Sequence, residues 1–203
     1  MTIAATPDGR GKHPQEAIRA RTSDQILGPF YPLTEPFIGG DMTRVAGRPG
    51  CAAGDIIYLS GRVLDRFGTP VRGGKVQVWQ ANSLGRYDHP NDSNPAPLDP
   101  SFTGFAVVET DSDGRYSFKT VKPGAYATGP NTMRPSHIHF EVFGKRERLI
   151  TQMYFKGDPH QETDRWLQSS ARPETIVMPL LDWTAGMDEG AKRVNFDIVL
   201  MHG

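Results

Sequence analysis

Short apolar runs alternate with turn-forming residues along most of this chain. In KVQVWQ, residues 75–80, Val76 and Val78 fall on one face of an extended strand, while Gln77 and Trp79 fall on the other. This two-residue period is typical of a strand that is buried on one side. Segments of this character predict strands at residues 56–64, 75–80, 105–110, 116–120, 137–143, 149–155 and 193–201.

Turn residues separate these strands at short intervals. The 22 glycines and 17 prolines are spread through the chain, and the sequence DSDG at residues 111–114 indicates a hairpin. We therefore predict an all-β fold, a mostly antiparallel β-sandwich with long loops and little helix. We expect an N-terminal arm and loop at residues 1–54 and the sandwich at residues 55–203, as one domain overall. Short helices are conceivable near residues 13–20 and 157–170.

Charge and cysteine content narrow the function classes. The 23 basic and 23 acidic residues cancel, so there is no general electrostatic reason to bind nucleic acid or an anionic membrane. We expect neither partner, and neither a signal peptide nor a membrane span is evident. Cys51 is the single cysteine, which precludes an intrachain disulfide and favours a cytoplasmic location. We expect its side chain to be a small buried apolar group.

The first candidate for chemistry is RPSHIHF at residues 134–140. On a strand, His137 and His139 share one face, while Ile138 and Phe140 point to the other. Neutral imidazole is the commonest protein metal ligand, and two imidazoles in this spacing can chelate one ion. The same spacing also suits two histidines on the wet face of a half-buried strand, so on its own it leaves both interpretations open.

The spacing of His137 and His139 does not by itself identify the remaining ligands of such a metal site. The other histidines lie in the arm, in polar loops or at the terminus: His13, His89, His160 and His202. A single cysteine argues against structural zinc. Glu141 shares the strand face of His137 and His139, which would allow an iron(II) facial triad. Tyr87 and Tyr126 offer phenolate oxygens, which suit iron(III).

Four sequence motifs, which follow one another along the chain, favour the alternative with tyrosine ligands. They are GRVLDRFGTPVRGGKVQVWQANSLGRY, TDSDGRYSFKTVKPGAY, RPSHIHF and LITQMYFKGDP. Together they resemble the intradiol ring-cleaving dioxygenases, in particular the iron-bearing subunit of the protocatechuate 3,4-dioxygenase branch. The resemblance covers residues 56–159 and extends to the final RVNFDIVL segment. It implies a β-sandwich with iron between sheets and loops.

The resemblance also implies a reaction and a set of site residues. A small aromatic diol and O2 would be the substrates, and cleavage between the hydroxyl-bearing carbons would give a cis,cis-muconate-type diacid. One iron(III) per chain would be held by Tyr87, Tyr126, His137 and His139. Tyr126 would leave the metal and take a substrate proton, and Arg134 would stabilise negative charge beside the substrate. Gln152 and Tyr154 match positions just outside these groups.

The sequence differs from the protocatechuate 3,4-dioxygenase branch in features that bear on substrate recognition and on the oligomeric state. The loop at residues 126–134, YATGPNTMR, is shorter than usual and lacks its tryptophans, and the arm lacks an expected tyrosine in TPDGRGKHP. The ring substituent therefore stays open among protocatechuate, catechol, hydroxyquinol and related triols. Protocatechuate enzymes pair this subunit with a second, iron-free one, and the catechol and hydroxyquinol branch usually carries a longer helical N-terminal dimerisation segment. We expect this shorter chain to work as a homo-oligomer instead.

Two rival interpretations remain at this point. A transthyretin-like β-sandwich binding module without catalysis shares the G-x-P-V, TDSDGRYSF and PGAY patterns. An iron(II) facial-triad or extradiol oxygenase would use His137, His139 and Glu141. Metal analysis separates the binding module from an enzyme, and product analysis separates extradiol from intradiol cleavage.

Overall fold

The computed structural model describes residues 18–203, and the regular secondary structure in this part of the chain consists almost entirely of strands. These are β1 (Phe37–Ile38), β2 (Ile56–Asp65), β3 (Lys75–Trp79), β4 (Phe105–Glu109), β5 (Arg115–Val121), β6 (Tyr126–Gly129), β7 (Thr132–Arg134), β8 (His137–Phe143), β9 (Arg148–Phe155), β10 (Val177–Met178), β11 (Leu181–Asp182), β12 (Lys192–Asn195) and β13 (Ile198–Leu200). Helix α1 (Arg165–Gln168) and two 3-10 turns, Gln161–Thr163 and Pro173–Thr175, complete the elements. The predicted all-β fold is confirmed. No helix in the described part is long and apolar enough to cross a membrane.

The strands form two main sheets and one hairpin. The six-stranded sheet has the order β1-β4-β3-β8-β9-β10, and the second has the order β11-β12-β2-β13 with β5 paired to β2. Strands β6 and β7 form a separate two-stranded hairpin. The central pairs are antiparallel, as predicted, while β1, β10, β12 and β13 add to their neighbours in parallel.

The final strand, predicted as continuous over residues 193–201, is interrupted, so that prediction was wrong in this detail. β12 and β13 both run parallel to β2, and the break falls at Phe196 and Asp197. There Gly61 of β2 approaches so closely that a Cβ would lie 2.0 Å from the Phe196 carbonyl oxygen. The Asp197 carboxylate accepts the hydrogen bond of the Arg62 N–H instead of a backbone carbonyl (2.9 Å).

The core lies between the two sheets. It combines the inward side chains of β2, β3 and β8, including Leu59, Val78, Ile138 and Phe140, all at most 1% exposed. Val76, which was predicted to share the strand face of Val78, also belongs to this core. Because these side chains are fully apolar, their burial stabilises the fold without any demand for hydrogen-bonding partners.

A segment near the N-terminus covers the outer face of the six-stranded sheet. We call residues 22–31 the cover segment. Its first residue is anchored to the second sheet, where the Thr22 N–H donates to the Val199 carbonyl oxygen of β13 (3.0 Å), and the Gln25 N–H then donates to the Ile150 carbonyl oxygen of β9 in the six-stranded sheet (2.9 Å). Of the helix considered at residues 13–20, only residues 18–20 are described, and these are not helical. The first described residues thus pack on the sandwich.

Cys51 is exposed, so the prediction of a buried cysteine was wrong. It lies in an irregular loop beside Gly50, and its neighbour Ala52 occupies the buried position instead, at 5% exposure. The Ala52 N–H donates to the Thr43 carbonyl oxygen (2.8 Å), which turns the preceding side chain outward.

Candidate metal centre and active site

Strand β8 carries the two predicted histidines on its outer face. Its alternate residues Ile138 and Phe140 belong to the core between the sheets, so His137 and His139 point away from that core. In the antiparallel register, His137 lies opposite Tyr154 and His139 opposite Gln152 on β9. The site is therefore enclosed by one sheet and the loops over it, and not by the two sheets.

Two glycines bring the predicted tyrosines together. Gly85 precedes Tyr87 by two residues, and Gly124 precedes Tyr126 by two residues. A Cβ on Gly85 would lie 2.6 Å from the Ala125 carbonyl oxygen, and one on Gly124 would lie 2.5 Å from the Gly85 nitrogen. Only residues without a side chain allow the two loops to meet backbone to backbone.

The four predicted ligand residues converge in the structure. Ring centroids are separated by 5.6 Å for Tyr87 and Tyr126, 5.7 Å for Tyr126 and His137, and 4.9 Å for His137 and His139. The Tyr87 Oη lies 3.4 Å from the His137 Nε2. All four side chains are buried, at 8% exposure or less.

The surroundings of the histidines keep both rings neutral. The His137 Nδ1 lies 2.7 Å from the Pro135 carbonyl oxygen, which assigns the ring proton to Nδ1 and leaves a lone pair on Nε2. His139 stacks on Trp79 at 4.7 Å, and its buried Nδ1 has no hydrogen-bond partner among the described residues. Burial lowers the pKa of His137 to about 3 and the pKa of His139 well below its usual value.

Burial favours the protonated form of both tyrosines when no metal ion lies beside them. Burial raises the pKa of the Tyr87 phenol well above its usual value. Burial also raises the pKa of Tyr126, and the Arg134 guanidinium partly opposes that effect. Two phenol oxygens and two neutral imidazole nitrogens are a donor set that a hard, highly charged metal ion would favour, since it would stabilise both phenolates.

Arg134 is held rigidly beside these donors. Its Nε donates to Asp164 (2.7 Å), and its Nη2 donates to the Gln152 Oε1 (2.8 Å) and the Tyr154 hydroxyl (2.9 Å). The guanidinium also lies 4.4 Å from the Trp166 ring centroid. The structure thus places the predicted residues Gln152 and Tyr154 around Arg134, as its hydrogen-bond acceptors.

Known proteins match the chain over nearly its whole length. A family model described as Dioxygenase matches residues 26–202. The protocatechuate 3,4-dioxygenase beta chain of Burkholderia cepacia is 49% identical over 92% of this chain and 82% of that one. The chlorocatechol 1,2-dioxygenase of Rhodococcus opacus is 30% identical over 89% of this chain and 73% of that one. The mercury-inhibited catechol 1,2-dioxygenase structure from Acinetobacter sp. ADP1 has a TM-score of 0.70 at 26% identity, over 89% of this chain and 63% of that one.

The chain belongs to the intradiol ring-cleaving dioxygenase family. The predicted resemblance and the prediction of an intradiol dioxygenase are confirmed. The alternative of a binding module without catalysis is excluded by the same matches.

A cavity of about 830 Å³ opens onto the site of this intradiol enzyme. Tyr126 and Arg134 line it, and they are direct cross-strand partners in the β6–β7 hairpin. Tyr87, His137 and His139 lie behind them and do not line the cavity. Its walls are otherwise mainly apolar or neutral, and they include Ile26, Pro29, Phe30, Ala127, Thr128, Met133 and Trp166.

Glu141 is engaged elsewhere, which argues against the facial triad. Its carboxylate accepts a hydrogen bond from the Tyr31 hydroxyl (2.8 Å) and pairs with Arg148 (2.5 Å). Within residues 18–203, no group of three or more His, Cys, Asp or Glu side chains is placed to hold a metal ion.

Sequence reasoning missed several aromatic and acidic neighbours of the site. Phe30 of the cover segment packs on Tyr87 at 4.7 Å, and Trp79 stacks on His139. Asp164 and Trp166 contact Arg134 across a separation of at least 30 residues. Two local signals were available: the sequence GPFYP at residues 28–32, whose prolines restrict the backbone, and an aspartate at the N-cap of the short helix α1.

Proposed function

We propose that this enzyme is a non-haem iron(III) intradiol dioxygenase with one iron per chain. It would cleave a catechol-type ring with O2 to a cis,cis-muconate-type diacid. The observation that carries this proposal is the convergence of four buried donors, Tyr87, Tyr126, His137 and His139, from three separate segments.

The four donor groups suit iron(III) in their charge as well as in their donor atoms. Two phenolates offset two of the three positive charges, and neutral imidazoles add none. The two phenolates would be costly to bury without such a cation, because burial opposes their ionisation. Bound iron(III) would draw electron density from a coordinated catechol and make its ring susceptible to O2.

Tyr126 is suited to receive a substrate proton. It lines the cavity, whereas Tyr87 lies behind it and contacts His137. A catechol entering the cavity would therefore meet the Tyr126 phenolate first. We assign to the Tyr126 phenolate the acceptance of one hydroxyl proton of the diol.

Arg134 supplies a fixed positive charge at the same wall. Its Nε and Nη2 donors hold it to β9 and to Asp164, the N-cap of α1. We assign to it the stabilisation of negative charge on the diol oxygens and ring, since an arginine stays protonated at all working pH values. Phe30 and Trp166 add aromatic surface to the same cavity.

The colour and the product of the purified enzyme test this function. Tyrosinate-to-iron(III) charge transfer gives a reddish protein, and Tyr126→Phe shifts that absorption band. Stoichiometric iron and a colourless muconate-type product support the proposal. A colourless protein with full iron occupancy would remove the ligand assignment, and a yellow semialdehyde product would remove the intradiol chemistry.

We also propose that the enzyme works as a homo-oligomer. Leu33 and Ile38 lie near one another in sequence and are 75% and 85% exposed, which favours a covered surface in solution. Light scattering during size-exclusion chromatography tests this proposal, and a monomeric mass would overturn it.

A further inference from the structure

We propose that Gln25 of the cover segment is a positioning residue of this enzyme, which fixes Trp166 and Arg134 relative to each other. Gln25 does not line the cavity, and it acts on the reaction through the residues that do. This inference rests on the proposed function, because it concerns the placement of the Arg134 charge beside the diol.

The Gln25 side chain connects two elements that come from distant parts of the chain. Its Nε2 donates to the Trp166 carbonyl oxygen of α1 (3.3 Å), and its Oε1 accepts a hydrogen bond from the Tyr154 hydroxyl of β9 (3.2 Å). An amide carries a donor and an acceptor on separate atoms, which this bridge requires. The Gln25 backbone is itself fixed, since its N–H donates to the Ile150 carbonyl oxygen (2.9 Å).

Both partners of Gln25 contact Arg134 from different sides. The Tyr154 hydroxyl accepts a hydrogen bond from the Arg134 Nη2 (2.9 Å), and the Trp166 ring centroid lies 4.4 Å from the guanidinium. The Tyr154 hydroxyl has one proton and a second acceptor for it, the Gln152 Oε1 (2.9 Å). Tyr154 thus keeps a partner without Gln25, and the bond to Trp166 is the one that the cover segment would lose.

The Gln25–Trp166 bond lies at the junction of two depressions. Ile26 and Trp166 line the active-site cavity, and they also line an outer cleft of about 350 Å³ that Gln25 borders. Among the described residues, this bond is the one hydrogen bond between the cover segment and α1. Without it, the half-buried Trp166 can move away from Ile26 and from Arg134.

The remaining bonds of Arg134 limit the size of the effect. Asp164 and Gln152 still hold the guanidinium when Gln25 is changed, so the charge shifts in position and is not lost. A small displacement of a group that stabilises developing charge lowers the rate of the chemical step more than it weakens substrate binding. The expected signature is therefore a fall in kcat with little change in KM.

Steady-state kinetics per bound iron test the role of Gln25. Gln25→Met keeps the length of the side chain without its hydrogen bonds, and kcat per iron should fall about 5-fold to 20-fold with KM within about twofold. Gln161→Met is the matched control, because the Gln161 Nε2 also donates to a backbone carbonyl, that of Phe155 (2.9 Å), away from the cavity. It should leave both values unchanged.

A second variant separates the two ends of the amide and replaces Gln25→Met if that protein does not fold. Gln25→Glu keeps an acceptor for Tyr154 and loses the donor to Trp166, so it should show the same fall in kcat per iron. Wild-type kcat per iron in Gln25→Glu would overturn the role of the Trp166 bond. A fall in activity that only follows the iron content or the folded fraction would make Gln25 a structural residue and overturn the proposal.

Tryptophan fluorescence supplies a measurement that does not depend on catalysis. In a Trp183→Phe background, which removes the 44% exposed tryptophan, the signal comes from Trp166 and the fully buried Trp79. Acrylamide quenching of the full-length enzyme should rise about twofold in Gln25→Met, because a looser junction exposes the Trp166 ring, and should not change in Gln161→Met. Unchanged quenching in Gln25→Met would overturn the inference. Absence of cleavage of every diol by the wild type would overturn the proposed function, while the quenching would still test Gln25.

Discussion

The two faces of the six-stranded sheet are built from the same strands and perform different tasks. On β8, Ile138 and Phe140 face the core between the sheets, while His137 and His139 face the cover segment and loops. The histidines are as inaccessible as their apolar neighbours, at 2% exposure. The two faces therefore differ in chemistry and not in burial.

The origin of that burial differs between the faces. The inner face is covered by another sheet, whose apolar side chains need no specific partners. The outer face is covered by irregular backbone, and there each contact is specific: Gly28 lies where a Cβ would be 3.0 Å from the His139 ring, and Phe30 packs on Tyr87. Changes on the inner face should thus cost stability, and changes on the outer face should cost activity.

The largest effect is expected on the outer face, from His139→Ala. Loss of one nitrogen donor should remove the iron and lower kcat/KM by about 1,000-fold or more, since even indirect supports of a metal ligand contribute about 10-fold to 100-fold. The fold should persist because no core contact between the sheets is lost. Iron analysis, O2 uptake and thermal melting followed by circular dichroism measure these three quantities.

His160→Ala is the matched control for this change, because His160 lies in a loop outside the site. It should keep full iron and activity. An iron-replete, active His139→Ala enzyme would contradict the assignment of His139 as a ligand.

Phe140→Ala tests the inner face of the six-stranded sheet. Deleting this fully buried ring should lower the free energy of unfolding by about 3–5 kcal/mol, through lost burial and the cavity left behind. The kcat per bound iron of the folded fraction should stay within about twofold. Urea denaturation and iron-normalised O2 uptake test both statements.

A milder variant keeps this test usable if Phe140→Ala fails to fold. Phe140→Leu should cost about 1 kcal/mol with unchanged kcat per iron. A fall in kcat per iron at unchanged stability would contradict the separation of the two faces.

Local patterning was enough to predict most of the sandwich and the orientation of its central strands. The two-residue period of KVQVWQ and HIHF assigns Val78 and Phe140 to one face and Trp79 and His139 to the other. It could not predict the break at Phe196, because that break depends on close contact with Gly61, 135 residues away in the chain. Nor could composition predict that Ala52, and not Cys51, fills the buried position.

The site was predicted only in part, for a related reason. The spacing of His137 and His139 left the metal and its other ligands open, and the family resemblance added Tyr87 and Tyr126. Asp164 and Trp166, two further partners of Arg134, were missed because they come from a segment at least 30 residues later, where Asp164 has the position of an ordinary helix cap. Contacts between distant loops carry no periodic signal in one sequence.

Asp164→Asn tests the most unexpected of these contacts. The change keeps the size of the side chain but leaves the buried Arg134 guanidinium without its anionic partner. We expect kcat/KM to fall about 10-fold to 100-fold, mainly in kcat, and the free energy of unfolding to fall by about 3 kcal/mol. Steady-state kinetics and urea denaturation report the two effects.

Asp182→Asn is the matched control for Asp164→Asn, because Asp182 forms an ion pair with Lys192 on the protein surface. It should change neither quantity measurably, because exposed pairs contribute little. If both variants behaved alike, Arg134 would not depend on Asp164 for its position.

Tyr31→Phe should give the smallest effect, and it tests how the cover segment contributes to stability. It removes the hydroxyl that donates to Glu141 (2.8 Å) while Arg148 still pairs with that carboxylate. The ring also remains in edge contact with Trp79, at 5.1 Å. Since only one hydrogen bond is lost, the free energy of unfolding should fall by about 1 kcal/mol with iron content unchanged.

Tyr58→Phe is a fitting reference, because its hydroxyl also donates to a carboxylate, that of Asp188 (3.2 Å), but on the second sheet. Both variants should keep full activity. Loss of iron in Tyr31→Phe alone would mean that the cover segment positions His139 through Trp79, and that the outer face depends on its cover for ligand geometry as well as for burial.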